Sequence, residues 1–245
     1  MLSDLLLLSG NDLPFIEAQT VIHQPRLKEI ALIGEDCFFT GCEMLKFSKN
    51  ILSEEDKVNL EDQTNFDILI AILREQNAVM QKNRSCVIMV LALLFPDYQI
   101  SLETDCIKLL KENEEHKIDN TNFEKFKQYI DKAFSYKSGE NSSDFNPSGD
   151  LAAKIAAKLK KRHNKLAEQK PEKDKKVDII SRYVSILTVG QKKDMNELLN
   201  YTVYQLFDEF KRYELKTSHD MYIQAKLAGA QDLKEVEDWM KDIHS

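Results

Sequence analysis

The chain has 245 residues, of which 42% are hydrophobic and 31% charged, with a formal net charge of −7. That length suits one large or two small domains with a sizeable core, and the acidic balance argues against a general nucleic-acid binder. Seven Gly and five Pro are too few for a fold of many tight β-turns, so mostly helix is expected.

Residues 1–8 are apolar but short and lack a basic flank, which predicts a helix or strand docked in the core rather than a signal peptide. Gly10, Asn11, Asp12 and Pro14 form a turn signal. Residues 15–23, with Thr20, Val21 and Ile22, read as a short strand, and a minor β-hairpin is expected near the N-terminus. Pro25 opens a helix carrying Leu27, Ile30 and Ala31, which stops near Gly34. Residues 36–46 are compact and apolar and predict another helix. Ser53 followed by Glu54, Glu55 and Asp56 is a capped, acidic helix start.

Residues 65–75 place Phe66, Leu69, Ile70 and Leu73 on one helical stripe. Residues 83–95 are apolar on nearly every side, the pattern of a central helix. The residue before Pro96 avoids the helical region and ends it. The apolar run 86–95 is about half the length that spans a bilayer, so no membrane segment is expected. Residues 99–102 read as a short strand or extended link. Residues 103–111 read as a helix with Cys106, Ile107 and Leu110 inward. Asp119 or Asn120 caps a helix with Phe123, Phe126, Ile130 and Phe134 at helical spacing.

Residues 137–150, rich in Ser, Gly and Asn, have linker chemistry. From residue 151 to about 169 a helical pattern returns, with Leu151, Ile155, Leu159 and Leu166 near one stripe and small alanines between. Its other faces are basic. Residues 154–176 hold ten Lys/Arg against three Asp/Glu, net +7 in a chain of −7, so the rest carries −14. As a phosphate-binding patch this segment offers Lys158, Lys160, Lys161, Arg162 and Lys165. It lacks the interleaved aromatics that stack on bases, and the reading favoured is a solvated helix that meets acidic partner surfaces.

Residues 177–187 are again helical, with Gly190 as the stop. Thr202 caps a helix carrying Val203, Leu206, Phe207 and Phe210. Ser218 caps a second that ends at Gly229, and Asp232 caps a last one with Val236, Trp239, Met240 and Ile243 inward. Phe207, Phe210 and Trp239 are expected in the core, and Tyr204 and Tyr213 at a partner surface.

Phosphate-binding glycine loops, nucleophile elbows and zinc-protease motifs are missing from the sequence. The five histidines are scattered, and Cys37, Cys42, Cys86 and Cys106 form no CxxC pair, so reduced thiols are expected rather than zinc ligation or a disulfide framework. Acidic pairs such as Glu54–Glu55 and Glu114–Glu115 read as solvated charge. The reading is a non-enzyme, with no catalytic residue, cofactor or metal.

The C-terminal sequence resembles that of tail or baseplate assembly chaperones of tailed bacteriophages. The resemblance rests on Tyr201, Thr202, Gln205 and Leu206 at a helix start, then Asp220, Ala225, Leu227, Ala228, Gly229 and Ala230, and Trp239 near the end. The middle is similar as well, in LFPDY over 94–98 and IDNTNFEKFKQYI over 118–130. The polar and basic stretch around 137–176 departs from the pattern. The resemblance implies a chaperone or minor tail protein acting in the host cytoplasm or virion tail. Its partners would be tape-measure, hub or baseplate proteins, held in helical grooves. The alternative is a regulatory or nucleic-acid-binding protein using residues 154–176.

The expected architecture is all-α apart from the short hairpin, in four parts: an N-terminal helical domain over 1–136, a polar linker over 137–150, a basic helix and second linker over 151–176, and a C-terminal helical bundle over 177–245.

Overall fold

The computed structural model describes residues 2–51, 62–112, 114–134, 178–230 and 236–243. The expectations for the Ser53 helix start, the linker and the basic segment fall outside these residues.

Helix α1 (Asp4–Ser9) is capped by the Ser3 hydroxyl, which accepts from the Leu6 N–H, and ends at Gly10 with φ 66°. Leu7 is its buried residue, so the apolar N-terminus does dock in the core. The expected hairpin follows. Strands β1 (Leu13–Phe15) and β2 (Thr20–Ile22) pair antiparallel, Leu13 opposite Ile22, across a 3-10 turn at Ile16–Ala18. Alternation places Leu13 and Phe15 inward and Pro14 outward.

Helices α2 (Leu27–Ile33) and α3 (Glu35–Leu45) meet at Gly34, whose φ of 86° disfavours any L side chain. Helix α4 (Asn65–Arg74) starts at a Thr64–Asp67 capping box, and α5 (Ala78–Leu94) at Asn77. Helices α3 and α5 run antiparallel: Cys37 lies beside Met89, Gly41 beside Cys86 and Val90, and Met44 beside Asn83.

The all-α expectation needs correction at residues 99–118. Strands β3 (Gln99–Leu102), β4 (Ile107–Lys111) and β5 (Glu114–Ile118) form an antiparallel sheet in that order. The helix predicted over 103–111 is a turn leading into β4. Within it the buried Ile107 and Leu109 flank the less buried Lys108, a two-residue period. The chain is therefore mostly helical with two small antiparallel sheets.

Helix α6 (Phe123–Phe134) buries Phe123, Phe126, Ile130 and Phe134, as their spacing predicts. Phe126 lies against Phe15 and Phe95 with ring centroids 5.8 and 6.1 Å away, and Phe134 meets Phe38 edge-on at 5.6 Å. This aromatic cluster fastens the hairpin, α3 and α5 together.

Helices α7 (Ile179–Gln191), α8 (Met195–Leu199) and α9 (Val203–Leu227) join the same core through Ile180, Tyr183, Val184, Leu187, Leu198, Val203 and Leu206. Tyr183 stacks on Phe210 at 3.6 Å and meets Phe207 edge-on. The two ends of the chain are clasped through their backbones. The Leu27 N–H donates to the Tyr201 carbonyl at 2.9 Å, and Arg26 bridges to Thr202. The Gln205 amide donates to the Leu8 carbonyl at 2.7 Å, and the Arg26 guanidinium to the Gly10 carbonyl at 2.8 Å.

Two expectations for the tail are corrected. Ser218 starts no new helix, because nothing between Val203 and Leu227 breaks the backbone pattern, and α9 runs on for 25 residues. It stops at Gly229 (φ 85°), where the Gly229 and Ala230 N–H groups donate to the Lys226 and Ala225 carbonyls. Residues 236–243 form no helix, so the last helix expected to carry Val236, Trp239, Met240 and Ile243 does not run through them, while its expected cap, Asp232, lies outside the described residues. There the Arg212 guanidinium donates to the Trp239 and Lys241 carbonyls, holding the tail on α9, while Trp239 is half-buried rather than in the core. No helix among the described residues is long and apolar enough to cross a membrane.

Candidate docking groove

A groove of about 750 Å³ opens between the α2–α3 corner, the first turns of α5 and the α7–α8 pair. Its apolar lining includes Leu27, Ile30, Ile33, Ile180, Val184, Met195 and Leu199, and its charged lining Glu35, Asp36, Lys82 and Asp178. The volume is in the range that takes a short run of side chains or a small ligand.

Glu35 sets the geometry of the groove. Asp178 stands at the N-cap of α7 but makes no side-chain cap bond. The Glu35 carboxylate, reaching across from α3, instead accepts from the Ile180 N–H at 2.8 Å and the Ser181 N–H at 3.5 Å. It thereby satisfies helix-terminal donors that would otherwise be unpaired. Burial raises the Glu35 pKa, and the backbone donors only partly oppose that shift.

The floor lies where α3 meets α5. Cys37 and Cys86 both line it, and the Cys37 Sγ lies 3.6 Å from the Met89 Sδ. Burial, with the neighbouring Cys86 thiol, pushes the Cys37 thiol up to about 12. Cys37 is a protonated, unreactive thiol at neutral pH. All four cysteines are free.

Three described histidines lie beside carboxylates: His116 is 3.6 Å from Glu114, His219 is 3.9 Å from Asp220, and His23 meets two. His23 lies 2.8 Å from Asp12 and 3.4 Å from Glu29. Glu29 already accepts from the Arg26 N–H at the start of α2. This trio lies outside the groove lining. Among the described residues no three His, Cys, Asp or Glu side chains cluster in a way that suits a metal ion.

Of the residues singled out from sequence, Lys158, Lys160, Lys161, Arg162 and Lys165 lie outside the described residues. The Tyr204 hydroxyl donates to the Asp4 carboxylate at 2.9 Å, and burial followed by that bond raises its pKa. Tyr213 is half-buried against the core, with its hydroxyl beside Gly190. Neither tyrosine lines the groove. Sequence reasoning missed Glu35, Asp178, Ile180 and Met195 as groove residues. The only local signal was an Asp178 cap position followed by no capping-box acid.

These features define a mostly helical protein with an apolar, acid-edged groove between helices. The sequence family described as the YomV second domain, a phage-associated name, matches residues 172–244. That match takes in α7, α8 and α9, so it includes one wall of the groove. No curated protein and no solved structure matches the chain.

Proposed function

We propose that the protein is a non-enzymatic assembly factor of a tailed phage, which holds an amphipathic segment of another tail or baseplate protein in the α2–α3/α7–α8 groove. The observation that carries this reading is the groove: a cavity of about 750 Å³ between helices whose lining combines Ile33, Met195 and Leu199 with the carboxylates Glu35, Asp36 and Asp178, a mixture that suits an amphipathic helix. The phage-associated family match over residues 172–244 supports the setting. Holding such a segment would keep an elongated partner from aggregating until assembly, in the host cytoplasm.

The test is co-purification from infected cells, with partners identified by mass spectrometry, for the native chain and for Ala31→Trp. Ala31 lines the groove and is exposed, so the indole fills the groove without entering the core. Recovery of a tail or baseplate protein that Ala31→Trp loses is the expected result. Recovery of nucleic acid alone, abolished by K160E/K161E/R162E, would replace the docking reading with the nucleic-acid one.

A further inference from the structure

We propose that Cys37, Cys86 and Met89 form a three-sulfur site for a soft monovalent metal ion, Cu(I), where α3 meets α5. The site is separate from the docking reading and does not depend on it.

Helix packing brings the sulfurs together. Gly41 of α3 lies against the Cys86 carbonyl and a Val90 methyl of α5, and its missing Cβ lets the two helices approach. Cys37 sits one turn before Gly41 and faces the same stretch of α5. Cys86 and Met89 are three positions apart on α5 and share a face. The Cys37 thiol donates to the Met89 thioether, with Sγ 3.6 Å from Sδ. It also shares a hydrogen bond with the Cys86 thiol. Cys37 is the hub of the trio. Nothing in local spacing marks the site, because Cys37 and Met89 lie 52 positions apart.

Size and softness select the ion. Three sulfurs, each about 2.3 Å from a shared d10 ion, stand about 4.0 Å apart at the corners of a triangle. The 3.6 Å between Cys37 and Met89 is close to that spacing, and small side-chain rotations cover the difference. Thiolate and thioether donors are soft and favour Cu(I). Zinc takes its ligands from Cys, His, Asp and Glu, and no three of those cluster suitably among the described residues. Calcium and magnesium take oxygen ligands.

Charge and access fit as well. Two thiolates and one monovalent ion leave a single negative charge, and Lys82 on the groove lining is placed to offset it. Cys37 and Cys86 both line the groove, and Met89 is 44% exposed, so an ion has a path in. Cys86 is buried and closes the inner side. The raised Cys37 thiol slows alkylation, but a soft ion displaces its proton. Loading sends two protons to the buffer and leaves sulfur and metal in their oxidation states.

The test is anaerobic titration of the full chain with Cu(I) in competition with bicinchoninate. One ion per chain is expected, with three sulfur neighbours by X-ray absorption. Cys37→Ser and Cys86→Ser should each weaken binding by more than about 100-fold, the upper cost of losing a mere outer-shell partner. Met89→Leu keeps the side-chain volume at an exposed position, so it stays folded even if a cysteine variant does not. It should lower the sulfur number to two. Cys106→Ser, at the turn before β4 and outside the groove lining, should bind as the native chain does. Circular dichroism checks that each variant is folded. Failure to compete with bicinchoninate overturns the inference. So does binding that survives in a folded Cys37→Ser or Cys86→Ser protein, or a sulfur number that Met89→Leu leaves unchanged.

Discussion

Gly41→Ala tests the close approach of α3 to the α5 backbone. A Cβ at Gly41 falls 2.6 Å from a Val90 methyl and 2.8 Å from the Cys86 carbonyl oxygen. Both are well inside the optimum for non-bonded atoms, about 3.5–4.0 Å between carbons. The methyl can turn aside, but the carbonyl belongs to the α5 backbone and cannot. The two helices must part. Overpacking of this kind costs about 1–3 kcal/mol, and a backbone contact places it in the upper half of that range. Replacing a helical glycine by alanine returns about 1 kcal/mol, leaving a net loss of about 1–2 kcal/mol.

At about 2–4 °C per kcal/mol for a chain of this size, the melting temperature should fall by about 2–8 °C. The comparator is Gly190→Ala in α7. Its Cβ meets the end of the Tyr213 side chain, which can swing away. That substitution should be near neutral. Thermal unfolding followed by circular dichroism reads both. A Gly41→Ala protein as stable as the native one would refute the reasoning, as would a Gly190→Ala protein that loses as much.

Three further outcomes are expected. Thr202→Ala removes the hydroxyl that accepts from the Gln205 N–H in the α9 capping box; it should cost about 1–2 kcal/mol, read as a lower denaturant midpoint at unchanged slope. Hydrogen bonds from Asn120, then Thr64, lower the Asp67 pKa, so its stabilisation is present above the usual carboxylate range and lost as pH falls through the folded value. The melting-temperature gap between native protein and Asp67→Asn should therefore close as pH falls below the ordinary aspartate value of about 3.9. Cys37, raised to about 12 by burial and by Cys86, should alkylate slowly at neutral pH and faster as pH climbs. Its contribution to stability is present below the unfolded thiol value near about 8.5 and lost as pH rises towards the folded one. Alkylation of Cys37 at the rate of a free thiol would contradict the burial argument.

What the sequence made legible was local. The cap at Thr202, the helix opened after Pro25, and the stripe of Phe123, Phe126, Ile130 and Phe134 each carry their signal within one or two turns. The third strand pair was misread because Cys106, Ile107 and Leu110 fit a helical stripe in a short window, although Ile107 and Leu109 also alternate. The break expected at Ser218 failed for a related reason: a capping residue marks a helix start only where the backbone before it is non-helical. The groove was not legible at all. Its key contact joins Glu35 to a backbone amide 145 positions away, and no pattern within one helix encodes which other helix will need its carboxylate.

Helix α9 has a mechanical consequence. Its last buried residue is Leu215, while Met221 is 65% and Leu227 83% exposed. The rod of 25 residues is about 37 Å long, and its first half is pinned on the core through Leu206, Phe207, Phe210 and Leu215. The 12 residues beyond Leu215 form an arm of about 18 Å. A bend of about 10° at Leu215 would sweep the tip of that arm through about 3 Å, so the lever in α9 has its fulcrum at Leu215 and leaves the Thr202 clasp in place.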